Sequence, residues 1–407
     1  MTKNYREELV RGYTMTTVME EAQRCLLCHD APCSKACPAE TDPAKFIRSV
    51  RFRNFKGAAE TIRVNNALGA VCARVCPTER YCEHACSRCG IDKPINIGGI
   101  QRFVTDFEAQ CGMTILEKGE DNGKRVAVIG SGPAGLQAAA SLLQLGYAVD
   151  ILEKGEKAGG YLRTGIPEYR LPDAVVDTEV ARIEALGAKF RFNTEVGKDV
   201  AMEELKAQYD AILVAVGASV PNTLELFAGH PNAVPAVTLL AEIDARQGQV
   251  TLPDNVLVIG GGDAAMDVST TLKLLGVTNV TNVTRKELAD FRASKVELEN
   301  ARAAGVTIID GYAPVQVDGK AVVFRHRRIN SELRIEADLV VLAVGQSTDA
   351  AKLGLPIEKN EAAFDGFHAE GKVFVAGDLA RGDKTVVWAV RKAKQAAREI
   401  DQYLGGR

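Results

Sequence analysis

No cysteine occurs in this 407-residue chain after Cys111. Any redox cofactor bound by the later sequence therefore has no dithiol beside it, which excludes disulfide-exchange chemistry of the thioredoxin-reductase or glutathione-reductase type. Histidine is scarce, with five residues in all, and only His29 and His84 lie among the cysteines. No apolar run approaches the roughly 18–20 residues of a membrane span. Charge of one sign is not in excess: the net charge is −3, which gives no reason to expect nucleic acid or an anionic membrane. The first residues, MTKNYREELVRGY, lack the apolar stretch of a secretory signal. The expectation is a cytoplasmic protein, where disulfides are disfavoured and clustered cysteines read as metal ligands. The length predicts two or three domains.

All ten cysteines precede Met113. The first run is Cys25, Cys28, Cys33 and Cys37, followed by Pro38. The second is Cys72, Cys76, Cys82 and Cys86, with Pro77 after Cys76 and Cys89 just beyond. The first run is similar to the bacterial ferredoxin spacing with one longer loop. In that spacing three thiolates cup one cluster and the fourth reaches to a second. Proline after Cys37 and Cys76 forces the chain to turn. Zinc is the competing reading, but structural zinc usually takes two separated CxxC or histidine pairs, and CxxxC and CxxxxC spacings dominate here. Two four-iron clusters need about eight ligands. Spacing selects Cys25, Cys28, Cys33, Cys37, Cys76, Cys82 and Cys86, with Cys72 as the eighth. Cys89 and Cys111 read as ordinary thiols. Between the runs, Ala44 to Ala67 reads as amphipathic helix, with Phe46, Ile47, Val50 and Phe55 on its apolar positions.

From Lys124 the pattern changes. The strand-like KRVAVI opens into Gly130, Ser131, Gly132, Pro133, Ala134 and Gly135. A helical run and a second strand, AVDIL, follow and end at Glu153. Strand, glycines, helix, strand and acid together make a dinucleotide-binding fingerprint. Gly130 allows the tight turn. Gly132 lets the backbone approach a pyrophosphate at the helix N-terminus. Glu153 is placed for ribose hydroxyls. A second copy runs from NVLVI into Gly260, Gly261, Gly262, Asp263, Ala264 and Ala265, and its second strand ends at Thr284, Arg285 and Lys286. A basic pair there suits the 2′-phosphate of NADP. A solvated basic loop is the alternative, and Glu287 and Asp290 weaken the phosphate case. Near the C-terminus, Val373 to Asp378 reads as a strand ending in Gly377 and Asp378. A helix from about Thr385 follows, an arrangement that commonly closes an FAD site through the acid and the helix dipole. Strands Ala211–Val216 and Leu339–Val344 resemble the crossovers between FAD and NAD(P) domains.

The segments RCLLCHDAPCSKACP, VCPTERYCEHAC, PINIGGIQRF, GSGPAG, EKAGGYLRTGIPEYRLP and GGGDAAMDV together resemble the N-terminal half of dihydropyrimidine dehydrogenase, including its separate bacterial subunit. The small subunit of glutamate synthase is a more distant likeness. The resemblance implies Cys25, Cys28, Cys33 and Cys86 on one cluster, and Cys37, Cys76, Cys82 and Gln101 on the other. Cys72 then becomes a bystander. A carboxamide oxygen is a harder, neutral donor than thiolate, which alters cluster charge and potential. The resemblance further implies flavin contacts at Glu153 to Tyr161 (Gly160 included), at Arg170, and at Gly377 to Val386 (Asp378 and Thr385 included). It implies nicotinamide contacts at Gly262, Asp263, Ala264, Arg285, Lys286, Arg292 and Ala343 to Gly345. It leaves NADH or NADPH open, with a lean to NADH.

The expected fold is α/β with an all-α N-terminal domain. A helical two-[4Fe-4S] domain spans 1–120, a Rossmann-like FAD domain 121–220 and 346–407, and a Rossmann-like NAD(P) domain 221–345. The expected function is an electron-input subunit that passes electrons from NAD(P)H through FAD and clusters. The recipient is an FMN- and iron–sulfur-containing partner that interconverts uracil or thymine and the 5,6-dihydro forms. The pyrimidine-reducing TIM barrel itself is absent. A glutamate-synthase-like feeder is the rival enzyme reading. A cluster-based redox sensor is a rival of another class, disfavoured by the complete FAD and nicotinamide motifs.

Overall fold

A computed structural model of the chain describes residues 5–359, 361–363 and 366–406. It divides into two compact units. The larger comprises Val10–Leu162, Asp173–Ser219 and Thr348–Arg407; the smaller comprises Met1–Leu9, Arg163–Pro172 and Val220–Ser347.

In the larger unit the cysteine-rich region is a set of short helices around a common apolar core. Helices Pro43–Arg51, Phe55–Asn65, Gly69–Val75 and Ile97–Gln110 bury Phe46, Ile47, Val50, Ile62, Ile100 and Val104. The single helix expected between Ala44 and Ala67 is two helices. Arg53 sits in the left-handed region at φ 57°, and the Asn54 side chain caps the next helix by accepting from Gly57 N at 2.9 Å. A left-handed residue ends a helix and an Asn cap starts one, so the amphipathic pattern continues while the backbone does not.

The rest of this unit is a six-stranded sheet, ordered His368–Glu370, Val373–Val375, Ala211–Val214, Arg125–Ile129, Ala148–Leu152 and Lys189–Arg191. Every pairing is parallel except that of His368–Glu370. The two central strands, Arg125–Ile129 and Ala211–Val214, are almost continuously apolar because both their faces are covered.

The cysteine region and the sheet region are joined through a buried ion network. Arg63 donates to both oxygens of Glu108, at 2.9 and 3.1 Å, to Glu179 at 2.7 Å and to the Ala67 carbonyl at 2.6 Å. Glu179 also accepts from Ala70 N at 2.8 Å, and Arg182 pairs with Glu108. Arg63, Glu108 and Glu179 are each no more than 2% exposed.

The smaller unit holds a five-stranded parallel sheet, ordered Ala233–Pro235, Leu339–Leu342, Asn255–Ile259, Asn279–Val283 and Thr307–Ile309. A three-stranded antiparallel sheet, Tyr312–Asp318, Ala321–His326 and Glu332–Glu336, is inserted before its last-added strand, Leu339–Leu342. Two segments join this unit from outside the sequence-based boundaries. Tyr5 packs into its core, and Arg170 is ion-paired with Asp267 at 2.8 Å and Glu297 at 2.9 Å. Among the described residues, no helix is long and apolar enough to cross a membrane.

Replacing Arg63 by Met should lower stability by about 3–5 kcal/mol, because Glu108 and Glu179 would stay buried without their shared cation. Arg63→Lys should recover only part, since one ammonium cannot serve two carboxylates and a carbonyl in fixed directions. Chemical denaturation of the purified variants checks this; an unchanged midpoint in Arg63→Met would refute it.

Candidate functional site: two nucleotide cradles and a cysteine recess

The first glycine loop follows strand Arg125–Ile129. Gly130 has φ +98°, and a Cβ there would lie 2.7 Å from the Ala215 carbonyl, so only glycine fits. Gly132 caps helix Pro133–Gln144, whose first residue is Pro133. Nothing lies within 4 Å of where a Gly132 Cβ would be. That open space in front of a helix N-terminus suits an anion. Gly135 is different: its Cβ would overlap the Gly130 carbonyl. Ala134 packs against Gly377, and Gly160 approaches the Gly132 backbone, so the sequence-distant flavin candidates converge on one loop. Tyr161 is partly exposed beside them. Glu153 is buried, and its carboxylate accepts from Ser131 N at 2.9 Å, Ser131 Oγ at 2.5 Å and Gly155 N at 2.8 Å.

The closing element is built around two buried lysines that the sequence pattern does not reveal. Helix Val386–Tyr403, capped at Thr385, lies along helix Pro133–Gln144. Its Lys392 donates to the carbonyls of Gly377, Ala380 and Asp383 at 3.2, 2.9 and 3.0 Å, which fixes the loop that carries Asp378. Burial pushes the Asp378 carboxyl up from its usual value, opposed by Lys392 and Lys384. The Thr385 hydroxyl is buried without a hydrogen-bond partner of good geometry. The Thr385 hydroxyl at the helix N-terminus and the acid Asp378, on the turn whose Gly377 packs against Ala134 of the first glycine loop, fit the ribityl and pyrimidine end of FAD. Both Lys392 and Lys394 fall in the apolar stripe of the helix, among Val387, Val390, Ala393 and Ala397. A lysine on a solvated face and one turned inward look alike in sequence.

In the smaller unit Gly260 has φ +151°, and Gly262 again faces open space at the start of helix Asp263–Leu274. Ala343 follows the adjacent strand and donates its N–H to Ile259 O at 2.8 Å; Gly345 has φ +97°. Asp263 does not face the cradle freely, since Oδ1 accepts from Ser294 N at 2.7 Å. Ala264 is half-buried on the first turn. Where the flavin loop has Glu153, this loop has neutral Thr284, set against Gly261. Arg285 is exposed, and Lys286 and Arg292 lie on the same loop. Glu287 is engaged by Arg328, from the turn after strand Ala321–His326, at 2.9 Å. Arg170, expected at the flavin, belongs to this unit. Its guanidinium lies between Asp267 and Glu297, which raise its pKa against the opposing effect of burial.

The cysteines gather as two groups. Cys25, Cys28, Cys33 and Cys86 line one shallow recess together with Ala44, Ile47, Ile95 and Ile97. No other cysteine lines it. Cys37, Cys72 and Cys82 each lie near enough to Cys76 to raise its pKa further, beside the larger effect of burial, and Cys82 also packs in the core that Cys25, Cys33 and Cys86 touch. All ten thiols are free. Burial pushes Cys33 up to about 11 and Cys72 up to about 12, and raises Cys25, Cys37, Cys76 and Cys82. Buried thiols of this kind become thiolates only with a cation to compensate them, so the donor set fits iron–sulfur clusters. Gln101, on helix Ile97–Gln110, donates its amide nitrogen to Gly69 O at 2.8 Å, which leaves the amide oxygen as its free end. Cys89 and Cys111 are exposed.

Comparison with known proteins agrees with this geometry. Residues 2–113 match the family described as dihydropyrimidine dehydrogenase domain II, 4Fe-4S cluster, and residues 124–397 match pyridine nucleotide-disulphide oxidoreductase. The NAD-dependent dihydropyrimidine dehydrogenase subunit PreT of Escherichia coli (strain K12) is 52% identical over 99% of this chain and 98% of its own length. The chain belongs to the PreT family. It is an oxidoreductase with an iron–sulfur domain and FAD- and NAD(P)-binding regions. The glutamate synthase [NADPH] small chain of Halomonas elongata is 30% identical over 98% of this chain and 93% of its own. Mycobacterium tuberculosis FprA in complex with NADPH shares the fold, with TM-score 0.59 and 21% identity over 69% of this chain and 85% of that one.

The two cradle glycines of this PreT-family chain should separate binding from folding. Gly132→Val places its side chain in open space, so the protein should fold normally yet lose FAD. Gly135→Val should destabilise the fold itself. Flavin absorbance and thermal melts of the two variants decide the point; FAD retained at wild-type stoichiometry in Gly132→Val would contradict the assignment.

Proposed function

We propose that the chain is the electron-input subunit of a dihydropyrimidine dehydrogenase. The carrying observation is that cysteine recess and flavin cradle share one compact unit, in a chain alike over its whole length to PreT. FAD held at the first glycine loop would supply the exchange between the hydride of NAD(P)H and single electrons, and clusters held by the cysteines would supply one-electron carriage. The partner, an FMN- and iron–sulfur-containing subunit of the PreA kind, adds two electrons and two protons across the uracil or thymine double bond. The protein's own part is geometric: the glycine loops and Lys392 hold the nucleotide sites, and buried thiolates hold the clusters. We assign one cluster to Cys25, Cys28, Cys33 and Cys86 and the second to Cys37, Cys76, Cys82 and Gln101. The three-part domain division and a cytoplasmic location belong to the same reading. The likeness to the glutamate synthase small chain supports a second reading, a feeder of that partner instead; co-purification of a glutamate-synthase large chain would decide for it.

Anaerobically purified protein should carry about eight irons, as two four-iron clusters require, with one FAD. Gln101→Ala should disturb one cluster and Cys72→Ala neither; loss of a cluster in Cys72→Ala would restore the spacing-based choice. The chain alone should oxidise NAD(P)H with an artificial acceptor and leave uracil untouched, and adding the partner should confer uracil reduction. Uracil turnover by the chain alone would overturn the proposal.

A further inference from the structure

Helix Val386–Tyr403 and the loop before it reach both cysteine-bearing loops of the deeper group. Asp383 accepts from the Tyr81 hydroxyl at 2.6 Å, one residue before Cys82. Arg391 donates to Pro38 O at 3.2 Å, and Lys394 Nζ donates to Ala39 O at 2.8 Å. Asn65 Oδ1 lies 3.5 Å and the half-exposed Glu40 carboxylate 3.7 Å from the same ammonium. Lys394 is only 9% exposed. Burying an ammonium is costly, and a structural helix contact does not require one.

The cysteine turn explains what the cation meets. Cys37 ends a turn in which its N–H donates to Ser34 O at 3.4 Å and its carbonyl accepts from Glu40 N at 3.0 Å. Ala39, inside that turn, gives its carbonyl to Lys394. The ammonium thus sits on a carbonyl two residues beyond Cys37, inside the turn that carries that thiol.

We propose that Lys394 is a positioning residue that sets the reduction potential of the cluster held through Cys37. This rests on the assignment of Cys37 as a ligand. Adding an electron makes a cluster more negative, so a fixed cation and oriented N–H donors favour the reduced form. Lys394 supplies the first directly. It also holds the Ala39 carbonyl and so fixes the turn that follows Cys37. The flavin-facing helix thus contributes a charge to a cluster it does not ligate.

Redox titration of the full-length holoprotein, followed by low-temperature electron paramagnetic resonance, tests this with iron and FAD content measured in parallel. Lys394→Met and Lys394→Gln should shift one cluster's midpoint to more negative potential and leave the other's unchanged. Lys394→Arg should restore most of the shift. Glutamine keeps a donor for Ala39 without charge, so its shift should be smaller than methionine's. Unchanged midpoints at full iron content would overturn the proposal. So would loss of iron in all three variants, which marks a purely structural role. Cys37→Ala separates the underlying assignment: if it retains both clusters, the ligand reading fails rather than the role of Lys394.

Discussion

Arg63 is the residue on which the larger unit depends. One guanidinium satisfies two buried carboxylates and a carbonyl, drawn from the cysteine-rich helices and from helix Asp173–Ala185 of the nucleotide-binding part. Burial alone would lower its pKa; Glu179 and Glu108 more than reverse this and keep it charged. A buried ion network is a weak source of net stability compared with an apolar core, but its geometry is exacting. Here it ties helix Ile97–Gln110, which carries Gln101, and the start of helix Gly69–Val75, which leads to Cys76, to a common point. The loops around the deeper cysteines therefore cannot shift independently of the sheet.

The same unit joins its glycine-loop region and its cysteine region through a single helix. The flavin cradle and the cysteine loops share helix Val386–Tyr403. Lys392 points to the Gly377–Asp383 loop, while Arg391 and Lys394 point to Pro38 and Ala39. Backbone of the glycine-loop region and of the cysteine region is thus held by cations from one helix, which fixes the two relative to each other.

The two glycine loops show how one local design is set to two tasks. Both place an open glycine at a helix N-terminus after a buried parallel strand. They differ at the end of the second strand, where Glu153 closes on Ser131 but Thr284 stands against Gly261. Of the two acids beside the basic residues after Thr284, Glu287 is taken by Arg328 and Asp290 is exposed. That pairing joins residues 41 positions apart and is exposed, so it modulates the site only modestly.

Much of this was legible in the sequence, because strand–glycine–helix motifs are local. Strands Ala148–Leu152, Asn255–Ile259 and Asn279–Val283 fall where periodicity puts them, and the cysteine spacing already requires one crossing between runs. The break at Arg53 was hidden, since hydrophobic period continues through a left-handed residue. So was the partnership of Arg63 with residues 45 and 116 positions away. The inward lysines 392 and 394 were hidden for the same reason. By itself, the sequence determined which nucleotide-binding loops exist and which thiols are available, since steric and spacing rules act over a few residues. Only the tertiary structure decided which thiols share a recess, where Arg170 is anchored and which buried charges meet. Those depend on desolvation and packing between segments that chain order does not bring together.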